Sequence, residues 1–194
     1  AALWRAEHAE AFLRRVGVTD KATVLDFGCH KGNYSCPVAR VVGPRGKVYG
    51  IDKDRKILRE CRANAKREEL KNLTCIHLPQ GKKLPLRSRT VDIVLLFDVL
   101  HGGYLPEEAD RNRVLRELHR VLKPNGRLAF YPTHIRQFGL TLKKLMHEVT
   151  STGFALRGEH KRRLVHDGRL VRGRVFDFRR RKKASSSRTV HATA

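Results

Sequence analysis

The sequence contains no apolar run approaching the roughly 18 residues of a membrane-crossing helix, and Glu7 and Glu10 interrupt the apolar positions of its amino-terminal stretch. A membrane span and a secretory leader are therefore not expected, and the chain reads as soluble and cytoplasmic, without a membrane partner. Cysteine is sparse: four residues, Cys29, Cys36, Cys61 and Cys75, form no CxxC pair and no Cys/His spacing of the zinc-binding kind. Reduced, buried thiols are expected rather than a disulfide framework. Acidic residues are scarcer still relative to their counterparts, with 19 Asp+Glu against 42 Lys+Arg, which leaves a net charge of +23. The deficit is deepest in residues 151–194, which hold 13 basic and 3 acidic side chains. Such a field attracts polyanions and releases their counterions on contact, so RNA is a candidate partner; a merely solvated basic surface would have the same composition. Internal repeats are absent.

What is present is an alternation of periods. The 194 residues, 40% of them hydrophobic, suffice for one core. A single domain over residues 1–181 is expected, followed by a basic tail, 182–194, whose lack of apolar pattern reads as disorder. An amphipathic helix over 3–16, with Trp4, Phe12, Leu13 and Val16 as apolar positions, precedes a strand at 22–27. A helix at 33–42 leads through "GPRG" to the strand "KVYGID", and Asp54 can cap the next helix. "LTCIHL" is a third strand. "VDIVLLFDVL" is the continuous apolar run of a strand buried on both faces, followed by a helix that "KPNG" stops. "RLAFYP" and a helix ending near Gly153 follow, and then the period changes to that of two strands joined by a turn near Asp167 and Gly168. The fold class expected is α/β: a Rossmann-like three-layer sandwich with a mostly parallel seven-stranded sheet and a carboxy-terminal antiparallel hairpin.

In such a sheet ligands sit beyond the carboxyl ends of the strands, where strand order reverses. The first strand ends at Phe27, which places "GCHKG" (28–32) in that crevice, with backbone N–H groups of the following helix free to face a polar ligand. Asp52 closes the second strand about 20 positions after Gly32, the offset of an acid that accepts both ribose hydroxyls of a nucleotide. Together with "TVLDFG" and "VLKPNGRL", these features resemble the class I S-adenosylmethionine-dependent methyltransferases, from about residue 3 to 180, and most of all their compact members with a "VLDxGCGxG" motif and an "LxxVLHxx" segment.

The resemblance implies S-adenosylmethionine as cofactor. Asp26, Gly28 and Gly32, with Cys29 and His30 between them, match the loop that wraps its methionine part; Asp52 matches the ribose-binding acid, and Lys53 follows beside the adenine. Gln80 and Gly81, in "LPQGKKLPL", stand where an acidic residue commonly meets the adenine amino group. Phe97 and Asp98 fall where side chains approach the cofactor and the transferring methyl. His30 departs from the pattern by replacing a glycine. With negative φ its ring would project outward while its N–H faces the cofactor; with positive φ it would cost on the order of 1 kcal/mol. Either way the loop is expected to stay open.

Methyl transfer from a sulfonium needs close in-line approach and, for a protonated acceptor, a base; no metal is required. Asp98, His101, Tyr131 and His134 are the candidates near the mouth, with His101 first as a base. The remaining histidines show no ligand spacing and read as surface or hairpin residues. "FDVLHGG" lacks the Asn/Asp-Pro-Pro-aromatic segment of enzymes that methylate base amines, and "FYPTH" lacks the lysine of the tetrad-type ribose enzymes. Charge nonetheless favours RNA as substrate, tracked through Arg157, Lys161, Arg162, Arg163, Arg169, Arg172 and Arg174 of the hairpin. A small-molecule methyltransferase of the same fold and a non-catalytic RNA-binding relative are the alternatives.

Overall fold

The computed structural model describes residues 8–166 and 169–181. Trp4, the expected turn at Asp167 and Gly168, and the expected tail 182–194 lie outside these described residues. The first helix is seen as α1 (Ala9–Arg15), followed by β1 (Thr23–Phe27), α2 (Ser35–Val42), β2 (Lys47–Asp52), α3 (Arg55–Arg67) and β3 (Leu73–His77). Then come β4 (Val91–Phe97), α4 (Glu108–Val121), β5 (Leu122–Tyr131), α5 (Leu142–Ser151), β6 (Phe154–His166) and β7 (Arg169–Arg180). A short 3₁₀ turn, Arg136–Phe138, lies between β5 and α5.

The seven strands form one sheet in the order β3-β2-β1-β4-β5-β7-β6. The β1 to β5 neighbours pair in parallel, whereas β7 is antiparallel to both β5 and β6. Strand order reverses between β1 and β4, and that opens the crevice at their carboxyl ends.

Why β4 reads as an uninterrupted apolar run is visible in its surroundings. Ile93, Leu95 and Phe97 join a core layer with Phe12 and Leu13 of α1, Val16 just after it, and Val38 and Val42 of α2. Val94 and Leu96, pointing the other way, join Leu115 and Leu118 of α4 and Leu145 and Val149 of α5. Asp54 does cap α3, its Oδ1 accepting from the amides of Lys56 and Ile57 at 2.7 and 3.3 Å.

Two boundaries differ from expectation. Helix α2 begins at Ser35 because the preceding loop has positive φ at Gly28, His30 and Gly32, which no helical turn accommodates. "KPNG" is not a loop after α4 but part of β5: the register slips between Val91, opposite Leu122, and Ile93, opposite Arg127, so these residues bulge at the strand's entrance.

The hairpin outruns the sheet. β5 pairs with β7 only from Arg127↔Arg179 to Phe130↔Phe176, while β6 and β7 stay paired to His166↔Arg169. Burial in the protruding part changes along its length. Leu164 and Val165 are buried against the α1 side of the core, whereas Lys161, Arg163, Arg172 and Arg174 are exposed. Phe176 and Phe178 face the core, at 3% and 0% exposure.

Candidate active site

The glycine-poor loop is anchored to the end of β2. Because β1 stops at Phe27, the carbonyl of Ile51 accepts from the amides of Gly28 and Cys29, at 2.8 and 3.0 Å, and the amide of His30 donates to Asp52 Oδ2 at 2.9 Å. The donors of these three loop amides are thus used by the neighbouring strand end. His30 has φ 50° and an exposed side chain, so the loop keeps the glycine-like backbone with an imidazole on it. Histidine is among the residues better represented there, at a cost of about 1 kcal/mol. Gly28 and Gly32 also have positive φ, and a Cβ on Gly28 would lie 2.3 Å from Val99 Cγ2.

Asp26 lies beneath this loop at 2% exposure, and the Ser35 hydroxyl donates to its Oδ2 at 2.5 Å. Burial pushes its pKa up from 3.8 to about 7, with the nearby Asp52 charge acting in the same direction and the Ser35 hydrogen bond opposing them. Cys29 is turned away from the crevice; its side chain packs with Leu58 and Cys61 of α3. Asp26 and Cys29 thus support the loop from below.

Asp52, 4% exposed, holds the other side. Its Oδ1 accepts from the Asp54 amide at 3.1 Å and lies 3.5 Å from the Tyr104 hydroxyl. Lys53 reaches Tyr104 as well: its ammonium donates to the Tyr104 carbonyl at 2.9 Å and sits 4.2 Å from the ring centroid. Tyr104 is held there through Arg111, which the sequence does not single out. The buried Arg111 guanidinium pairs with Glu148 at 2.9 Å through two nitrogens and donates to the carbonyls of Leu105 and Pro106 at 3.1 and 2.8 Å.

Beside Asp52 lies a narrow cleft lined among others by Phe27, Ile51, Leu78, Gln80, Gly81 and Tyr104. Gln80 lies exposed at the rim, its amide donating to Asp110 Oδ2 at 2.8 Å. The chemistry of the lining suits a nucleoside: apolar side chains can flank a base, and a carboxylate group, with about four lone-pair positions, retains acceptor capacity for ribose hydroxyls.

The mouth lies at the ends of β4 and β5, under the hairpin. Asp98 adopts φ 57° just past β4. The Thr133 hydroxyl donates to its Oδ1, and His166 Nδ1 stands 3.1 Å from Oδ2. Nε2 of His101 and of His134 are 3.5 and 3.6 Å from Oδ1. His101, the expected base, has another task. Its Nδ1 accepts from the Gly103 amide at 3.1 Å, its Nε2 meets the Asp98 carbonyl at 3.2 Å, and its ring stacks on Phe138. Both nitrogens staple the loop after β4, and burial pushes the pKa of this histidine down. His166, read from sequence as an ordinary hairpin residue, is instead carried to Asp98 by the protruding hairpin. No local signal marks it, because the contact exists only once β7 has paired with β5.

Phe97 is enclosed rather than open: its ring packs against Phe12, Tyr34 and Tyr131 with centroids 6.1, 5.0 and 6.2 Å away. The Tyr34 hydroxyl donates to the Val165 carbonyl at 2.7 Å, tying the motif loop to the hairpin, and burial raises its pKa.

Comparison with known proteins places this geometry. A sequence profile described as "Methyltransferase domain" matches residues 18–171. Demethylmenaquinone methyltransferase of Lactococcus lactis is 33% identical over 131 residues, 68% of this chain and 48% of that protein. The enzyme of the same name from Listeria welshimeri is 33% identical over 130 residues, 67% of this chain and 51% of its own length. The chain thus spans about half the length of the curated relatives it matches. A crystal structure of a SAM-dependent methyltransferase from Aquifex aeolicus superposes with a TM-score of 0.72 at 23% identity, covering 90% of this chain and 91% of that one. A second, from Methanosarcina mazei, gives 0.71 at 18% identity over 89% and 98% of the two chains, so the shared architecture is that of the fold. With the profile covering most of its length, the chain belongs to the methyltransferase-domain family, the class I S-adenosylmethionine-dependent methyltransferases.

Proposed function

We propose that this chain transfers the methyl group of S-adenosylmethionine to a small ring-bearing molecule held beneath the hairpin. The observation that carries this is where the hairpin strand ends: Leu164 and Val165 are buried in one core layer with Phe97 and Tyr131, and the next residue, His166, stands 3.1 Å from Asp98 at the mouth, while Lys161, Arg163, Arg172 and Arg174 stay exposed. The relatives named for demethylmenaquinone support a compact ring-bearing acceptor over a polymer. The bound cofactor supplies an electrophilic methyl on a sulfonium. Asp52 and the cleft beside it orient the nucleoside, Tyr104 and the hairpin exclude water, and Asp98, with His134 and His166 beside it, takes up the proton of an acceptor hydroxyl or activated carbon.

The deciding experiment is incubation with methyl-labelled cofactor and a cell extract, followed by separation into RNA, protein and organic-soluble molecules. Label is expected in the organic-soluble fraction, and Asp98→Asn should remove it. Label in RNA would overturn the acceptor class, and absence of label together with absence of calorimetric heat for S-adenosylhomocysteine would overturn methyl transfer itself.

A second reading keeps RNA as the acceptor. The exposed cationic face of the hairpin and the net charge of +23 favour it. RNA binding that weakens steeply with salt and fails when Lys161, Arg163, Arg172 and Arg174 are replaced by Gln would support it.

A further inference from the structure

We infer that Asp98, His134 and His166 form a binding site for one divalent transition-metal ion, at the mouth and under the hairpin tip. One donor atom from each of these residues lies within 4.8 Å of the others, and among the described residues no other group of three His, Cys, Asp or Glu meets that condition. They come from three separate places: the end of β4, the segment after β5, and the last residue of β6.

Spacing fits coordination. Bonds of about 2.0–2.2 Å at a tetrahedral angle put ligand atoms about 3.3–3.6 Å apart. Here His166 Nδ1 is 3.1 Å from Asp98 Oδ2 and His134 Nε2 is 3.6 Å from the other oxygen, Oδ1, so the two imidazoles bracket one carboxylate, and one donor atom of each residue stays within 4.8 Å of the others. Two imidazoles and one carboxylate are the donor set of first-row divalent ions, and three protein ligands leave positions for water or an acceptor oxygen.

The surroundings orient the donors in the way metal ligands are oriented. His134 Nδ1 lies 3.2 Å from Gln137 Oε1. An Nδ1 proton donated to that amide oxygen would leave Nε2 as the atom offered to a metal. The Thr133 hydroxyl donates to Asp98 Oδ1, fixing the carboxylate from behind. Methyl transfer as a reaction needs no metal, so the site adds a function rather than restating one. A metal there would hold an acceptor through its oxygen and lower that oxygen's pKa, and it would lock the hairpin tip to the sheet. The inference uses the proposed acceptor position only for this last role; metal binding itself is tested without substrate.

The full chain, stripped with a chelator, is titrated calorimetrically with Zn²⁺ and, in parallel, with Co²⁺ under visible absorption. One equivalent should bind, with cobalt ligand-field bands and no sulfur-to-cobalt charge-transfer band. His134→Ala and His166→Ala should each abolish the bands, Gln137→Ala at its exposed position should weaken binding about tenfold, and His147→Ala should change nothing. Failure to bind Zn²⁺ near millimolar concentration would overturn the inference. So would charge-transfer bands that persist in the histidine variants, because the metal would then sit on the cysteines. Circular dichroism of each variant separates lost ligands from lost folding, and continued methyl transfer by the metal-free chain would leave the proposed activity standing while removing the metal from it.

Discussion

Replacing Asp26 by Asn isolates the protonation of one buried carboxyl. In the folded chain its pKa is about 7 against an ordinary value of 3.8, because desolvation of the ionised form outweighs the Ser35 hydrogen bond. That difference is worth about 4 kcal/mol in full. The sign follows from the direction of the shift. Below the unfolded value both states are protonated and the whole contribution is present; as pH rises the unfolded chain ionises first, and stability is lost until the folded carboxyl also ionises near pH 7. Between about pH 5 and about pH 8 the wild type should lose about 3 kcal/mol relative to Asp26→Asn, whose amide is isosteric and can still accept from Ser35. Urea denaturation of both proteins at the two pH values reads this difference directly. A gap between the two that does not change with pH would show that the folded carboxyl is already ionised, and the argument that burial governs it would fail.

Three other outcomes follow from the site. Asp52→Asn removes the charged acceptor for the ribose hydroxyls and should weaken cofactor binding by about 3 kcal/mol, roughly 100-fold, measured by calorimetry; unchanged affinity would place the nucleoside elsewhere. His30→Gly should leave cofactor affinity within about threefold, since the exposed ring leaves the loop open; a gain beyond tenfold would mean the imidazole obstructs it. Glu148→Ala strands the buried Arg111 charge and should cost about 3–5 kcal/mol in chemical denaturation, while replacing Arg111 and Glu148 together by Met and Leu should cost much less.

The sheet was legible because its signals are local. The β4 run "VDIVLLF" is apolar at consecutive positions since helices cover both faces, and Asp54 marks the start of α3 by a cap that depends on three neighbouring residues. Asp52 was legible for the same reason, as the last residue of a strand at a known offset from a loop. The mouth was not. Its histidines converge from positions 101, 134 and 166, and their meeting depends on how far the hairpin runs beyond β5. His101 stands after β4 where it was expected, with its ring nitrogens against backbone groups of its own loop, a detail no sequence pattern carries. Arg111 was hidden in a helix whose surface is rich in arginine; nothing in the sequence distinguishes a buried guanidinium from an exposed one until Glu148 is found facing it. The direction of the loop amides was equally unreadable, since it depends on where β1 stops relative to β2.

The position of β6 as the outermost strand also bears on how this protein meets its own copies. A border strand offers unpaired amides and carbonyls to any passing chain, which invites extension of the sheet. Here that border carries Arg157, Glu159, Lys161 and Arg163 at exposed positions. A second β6 laid alongside would bring guanidinium and ammonium groups into register with their own kind, so like-charge repulsion guards this margin against fibre-like growth even where its backbone is open.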